Sequence, residues 1–428
     1  MKTKTAFQTP KDGHYFFGYY DKSAIDRTAT RLLVQKTSFI DRMPQSEDQL
    51  EIGYFNFVDN PANFISIAKT KAWNWQQGCM LQWLGPDHKS KIIYNDRVDG
   101  KYVSIIYDLK SKVSTTYDMA VYSVSPCGSK ALCIDNERHY WFRKGYSYEG
   151  IENHKKNTKL DSNDGIWKLT LTNGCVEKII DLYKLVTQNP VDNMKDATHY
   201  FEHIIYSPNG KQFQFLHRWL PRDGGLFTRL YVANDDGTKI RLLNDSGRMT
   251  HCCWRDNETI MGWGAMESPI TKLRKYSWAA KHIIKPLIPL YRKFSRGNSV
   301  QGNSKLSSLV TGDCYLSINI DSGVSKKILA NELTRDGHPT FLTNNRNQFV
   351  TDTYANPDGI LTLLFGDIKA NSITIVDQLA SIAKYDATPM RCDLHPNLSY
   401  NGQAIAVDTM NDGCRSIYIY DITKLVNN

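Results

Sequence analysis

The stretch 201–219, FEHIIYSPNGKQFQFLHRW, reads as two short strands around a tight turn. Apolar and polar residues alternate on either side of Ser207-Pro208-Asn209-Gly210, a turn composition that reverses an antiparallel pair. The unit returns at 335–354 (RDGHPTFLTNNRNQFVTDTY) and 391–409 (RCDLHPNLSYNGQAIAVDT), and more loosely at 18–36, 79–96, 121–135 and 249–264. Most copies are followed by a further strand, such as GIWKLTLTNG, TRLYVANDDG or SIYIYDITK. Seven units in one chain predict an all-β fold, a seven-bladed β-propeller. Its span is 1–428, a single domain with a basic loop insertion at 268–312.

Composition agrees with a packed chain. At 41% hydrophobic and 23% charged residues, it has the material for a core and is unlike a disordered sequence. No long uncharged apolar run is present, and the start MKTKTAFQTPKDG lacks a secretory pattern, so cytoplasmic residence is expected. Nine cysteines without a CxxC pair suggest reduced thiols rather than a disulfide framework or zinc ribbon. The net charge of +9 is local: nine Lys or Arg and no acid lie between Ser268 and Gly312. Removing them leaves as many bases as the 44 acids. Nucleic acid is therefore not an expected partner.

Aligned at the turn, four units carry a histidine at one inner-strand position: His203, His251, His338 and His395. Inner strands line a propeller's channel, so these imidazoles are expected to converge on a divalent transition metal, manganese first, with zinc, iron or nickel as alternatives. Asp393, two residues before His395, is a candidate oxygen ligand or a partner of one. The second strands return His217, Arg218, Asp352 and Asp408 to the same face. His217 beside Arg218 offers a general base and a carboxylate clamp, with Tyr20 and Tyr200 as other bases. Trp73, Trp75, Gln76 and Gln77 of AWNWQQG, with Asp352 and Asp408, are expected to bind substrate, because sugar rings stack on aromatic faces and hydrogen-bond to amides.

The motifs HYFFGYYDKS (14–23), WNWQQG (73–78), SPNGKQFQFLHRW (207–219), DGHPTF (336–341) and DLHPNLS (393–399) resemble the oligogalacturonate lyase propellers, with ulvan-lyase propellers as more distant relatives. The resemblance implies a seven-bladed fold, a metal held by histidines at the channel mouth, and β-elimination of a uronate-containing glycan. By position, His251, His338 and His395 match the family's metal-ligand histidines, and His217 or Arg218 its base or carboxylate-neutralising region. The glutamine of the family's ligand set is not found; Met390 and Arg391 stand before His395.

The expected activity is thus metal-dependent lysis of an acidic polysaccharide or oligosaccharide. The alternative is a noncatalytic glycan-binding or scaffold propeller in cell-surface polysaccharide biosynthesis. Glycoside hydrolysis through Asp352 and Asp408 is a further option, while the lack of a GxSxG elbow disfavours a serine hydrolase. The segment 271–296 interleaves cations with Trp, Ile, Leu, Tyr and Phe. It is read either as contact with an anionic membrane surface, peripheral to the inner face, or as a lid over the metal site.

Overall fold

The SPNG turns show how the repeat becomes structure. In the computed structural model, which describes residues 5–153, 155–222, 224–276, 278 and 312–427, Ser207 donates its backbone N–H to Gln212 (2.8 Å) and Gly210 donates to Ser207 (2.8 Å). Ser125 with Gly128, and Ser399 with Gly402, repeat both bonds. The glycine sits at φ 68° in the first turn and at 70° in the other two, a left-handed conformation that a side chain disfavours.

These turns join seven four-stranded sheets, the blades of a β-propeller. In chain order, the inner and second strands are His14–Phe16 and Arg31–Thr37; Gln82–Trp83 and Lys91–Val98; Ser123–Val124 and Lys130–Cys133; Thr198–Tyr206 and Gln212–Leu220; Met249–Trp254 and Thr259–Ala265; Thr340–Phe341 and Gln348–Asp352; Asn397–Leu398 and Ala404–Thr409. Two further strands complete each blade. In blade 7 the outermost is N-terminal: Thr5–Gln8 pairs antiparallel with Ser416–Asp421. The two chain ends thus share a sheet.

The chain packs as two compact units. One holds residues 1–156, 168–177 and 338–428, the other 157–167 and 178–337. In the first, Leu342, Val350, Leu363, Leu398, Ile405, Val407 and Tyr420 form one buried apolar cluster of blades 6 and 7. In the second, Leu216, Leu230, Val232, Met249, Ile260 and Leu316 do the same for blades 4 and 5. Burying one such side chain contributes about 1.5–3 kcal/mol, so each cluster contributes substantially to holding its blades together.

Polar residues take over at one position. The fifth residue of the second strand in blades 1, 2, 6 and 7 is Gln35, Asn95, Asp352 or Asp408, and all four are buried. Gln35 accepts from the Cys79 N–H (2.8 Å), and Asn95 both donates to the Val121 carbonyl (2.7 Å) and accepts from its N–H (2.8 Å). Gln35 and Asn95 thus tie down the segment that leads into the inner strand of the following blade. Asp108, Asp367 and Asp421 cap turns through backbone N–H groups, as at Lys110, Ala370 and Thr423.

All nine cysteines are free. No described helix is long and apolar enough to cross a membrane. Residues 277 and 279–311 lie outside the described residues, and with them most of 271–296 and its membrane or lid reading.

Candidate functional site

Three of the register-matched histidines have left-handed backbones: His203 at φ 52°, His251 at 43° and His395 at 43°. At His203 and His251 the strand pairing slips, between Glu202 and Ile205 and between Thr250 and Cys253. A bulge of this kind adds a residue to one strand and re-aims its side chain, and non-glycine residues hold such φ values only where the surroundings enforce them. The repeat therefore spends backbone strain to turn the imidazole out of the strand's regular alternation.

In the first unit, His338 and His395 come together with ring centroids 4.3 Å apart and an interplanar angle of 83°. One donor atom each from His338, Asp393 and His395 lies within 4.8 Å of the others, and all three residues are buried. Asp352 orients the group. It accepts from His338 Nδ1 (2.9 Å) and from the N–H groups of His338 (2.8 Å) and His395 (3.1 Å). Burial alone would raise the Asp352 pKa, but His338 and these N–H groups hold it below the ordinary carboxylate value. Asp352 engages Nδ1, so a metal here would take His338 through Nε2, the arrangement usual for a metal-binding imidazole. Two imidazoles and a carboxylate suit a transition metal better than calcium or magnesium, so the residues fit the expected cofactor.

The trio is walled by aromatic rings and one guanidinium. Tyr20 lies 5.2 Å from His338, Tyr19 5.0 Å from His395, and Tyr354 5.6 Å from His338, between ring centroids. Arg391 donates from Nε to Asp393 (2.7 Å) and from a terminal nitrogen to the Tyr146 hydroxyl (2.6 Å), with Tyr354 5.6 Å from its carbon. Asp336, Tyr146 and Tyr354 were not singled out by sequence. Asp336 had a signal, because DGH at 336–338 repeats the spacing of DLH at 393–395. Tyr146 had none, being 245 residues from Arg391.

The second unit pairs His203 with His251, at 5.8 Å between ring centroids, and His251 Nδ1 lies 2.8 Å from Asp336. His217 is fully buried, stacked against His199 and Trp219, with its Nε2 3.0 Å from His199 Nδ1. Burial, then His199 and Arg229, push its pKa well below the ordinary value. The base expected there is a neutral imidazole inside blade 4. Arg218 forms an ion pair with Glu202 (2.8 Å) on the adjacent strand, and Tyr200 is 2% exposed beside it.

The expected substrate-binding set takes structural positions. Trp73 and Trp75 are each 2% exposed and donate their indole N–H to the Asp48 and Arg42 carbonyls (both 2.9 Å). Their rings pack against Phe16 and Phe39, which leaves no free face for a sugar. Gln76 donates to the Pro389 and Arg391 carbonyls, and Gln77 to the Tyr122 hydroxyl. Asp408 accepts from the N–H groups of Phe17 (2.9 Å) and Gly18 (3.0 Å). Asp352 and Asp408 are thus each committed to backbone N–H groups rather than presented as a free acid or base.

No family model matches the sequence, and no curated relative does. Among solved structures, the chain is similar to an oligogalacturonate lyase in complex with manganese, at 13% identity and TM-score 0.62, covering all of both chains. It is also similar to oligogalacturonate lyase from Vibrio parahaemolyticus, at 12% identity and TM-score 0.61, over 99% of this chain and 100% of that one. A prolyl endopeptidase structure shares 9% identity at TM-score 0.51, over 98% of this chain and 49% of that one. The likeness is one of fold, the seven-bladed propeller.

Proposed function

We propose that this protein is a metal-dependent lyase that cleaves a uronate-containing glycan by β-elimination. The observation that carries the reading is the convergence of His338, Asp393 and His395 within 4.8 Å, on a scaffold like that of a manganese-bound lyase. When bound, the metal would neutralise the uronate carboxylate and so acidify the adjacent C5 proton. Asp352 fixes the His338 ring in the tautomer that presents Nε2. Tyr20, buried with its ring 5.2 Å from that of His338, forms part of the wall. Tyr354, half-buried, with its ring 5.6 Å from that of His338 and the same distance from the Arg391 guanidinium carbon, is the residue to take the C5 proton.

The test is the metal content of the purified full chain beside a His338→Ala/His395→Ala variant, followed by assay for unsaturated products on uronate glycans. About one transition metal per chain, lost in the variant, is expected. No metal in either protein after supplementation would remove the mechanism. Tyr354→Phe is expected to lower turnover by about 100-fold with metal content unchanged. One observation favours the noncatalytic glycan-binding reading: Arg391 lies 2.7 Å from Asp393 and competes with metal for that carboxylate. Metal bound without any product from uronate glycans would select it.

A further inference from the structure

The segment 136–156 is not used by the chemistry above, yet it reaches the site. Asp135 caps the helix Asn136–Phe142 by accepting from the Arg138 N–H. After the helix the chain turns at Gly145, where φ is 99° and a Cβ would come within 2.6 Å of Pro389 Cβ. Only glycine permits that approach, and it delivers Tyr146 to Arg391 beside the metal trio.

Outward from Tyr146 the residues alternate between cation and ring. Arg143 lies 4.3 Å from the Tyr146 ring centroid. Trp141 is 37% exposed, unlike Trp73 and Trp75, and two exposed lysines flank its ring: Lys144 Nζ at 5.7 Å and Lys156 Nζ at 5.0 Å. Tyr140 stands edge-on to it at 6.2 Å. Trp141 and Tyr146 are five residues apart, so at most roughly 18 Å of chain separates them, a reach that a few linked sugar rings cover.

An indole kept at the surface with two ammonium groups near its ring fits one chemistry. The ring stacks on a sugar's C–H face, and the lysines meet the carboxylates of that sugar and its neighbour. A neutral glycan would leave the lysines without a use, and a lone carboxylate would not use the ring. The continuity through Arg143, Tyr146 and Arg391 ties the platform to the trio.

We infer that Trp141, Lys144 and Lys156 form a remote subsite for an acidic glycan, so that the protein holds chains long enough to reach from it to the metal site. The inference rests on the acidic-glycan reading above and makes chain length its specificity.

Binding is measured by calorimetry on the full chain carrying His338→Ala/His395→Ala, so that turnover and metal play no part. The probes are hexasaccharides and disaccharides of galacturonate, alginate and hyaluronan, with maltohexaose as the neutral control. At least one acidic hexasaccharide is expected to bind more tightly than its disaccharide and than maltohexaose. Adding Trp141→Ala is expected to weaken the hexasaccharide about tenfold and the disaccharide less than twofold. Lys144→Ala with Lys156→Ala is expected to weaken it severalfold and flatten its salt dependence, and Trp141→Tyr to restore part of the affinity. Unchanged melting would show that these exposed residues do not hold the fold. No binding by any acidic hexasaccharide, equal binding of both lengths, or a hexasaccharide affinity unmoved by Trp141→Ala would overturn the subsite. Lyase activity in the unmodified protein is scored separately, so the subsite and the reaction fail independently.

Discussion

Asp352 and Asp408 occupy the same place in consecutive blades, and they behave oppositely. Each is the fifth residue of its second strand, each is buried, and each accepts two backbone N–H groups. The Asp352 pKa lies below the ordinary carboxylate value, while burial pushes that of Asp408 up to about 7 despite Phe17, Gly18 and Arg415. What differs is the third partner. Asp352 has the His338 ring at 2.9 Å, whereas Arg415 is near Asp408 but donates to the Met390 and Arg391 carbonyls. One clamp has been drawn into a site; the other remains a clamp.

Removing Asp352 is expected to have the largest effect. Asp352→Ala leaves the His338 and His395 N–H groups and the His338 ring without their acceptor, at about 4 kcal/mol of stability. It should also weaken metal binding about 10- to 100-fold, because a ligand's orienting partner is gone. Asp408→Ala is expected to cost stability alone, with metal affinity within twofold. Urea denaturation and metal titration of both variants check this. Equal metal affinities would show that Asp352 is only a clamp.

The next effect in size is a pH dependence. A carboxyl with a folded pKa near 7 binds its proton more tightly folded than unfolded, where the ordinary value is 3.8. Its contribution is fully present below pH 3.8 and is lost as pH rises through about 7, at most roughly 4 kcal/mol. Asp408→Asn should remove that loss, at the constant cost of one acceptor, because its single oxygen can serve only one of the Phe17 and Gly18 N–H groups. A stability slope between pH 4 and 7 that persists in Asp408→Asn would assign it to another group.

The contrast also shows what sequence could reveal. The SPNG turn, the histidine register and the DLH spacing are local patterns, and from them come the seven blades and the register of four histidines, two of which lie together with Asp393. The roles of Trp73, Trp75 and His217 were not legible, because residues far from them decide those roles. The Asp48 and Arg42 carbonyls take the indole N–H groups, and His199 takes the imidazole. A tryptophan with its N–H satisfied and its ring packed looks, in sequence, like one waiting for a sugar. Asp352 and Asp408 align perfectly as letters; only the His338 ring beside Asp352 separates them.

That partner suggests a rule for the clamp position, and Asn95 tests it with the smallest expected effect. Gln35 and Asn95 each face one carbonyl and one N–H: Phe17 O with Cys79 N, and Val121 O with Val121 N. Asp352 and Asp408 face only N–H donors. An amide supplies a donor and an acceptor, a carboxylate only acceptors, so the backbone groups around the position dictate which is used. Asn95→Asp would put a carboxylate oxygen against the Val121 carbonyl and forfeit the Asn95 donor to Tyr148 Oη (2.9 Å) as well. The expected cost is about 2 kcal/mol by urea denaturation at pH 8, shrinking at low pH as the new carboxyl protonates and regains a donor. A cost that does not change with pH would mean that the clamp senses shape rather than hydrogen-bond polarity, and the different behaviour of Asp352 and Asp408 would then need another source.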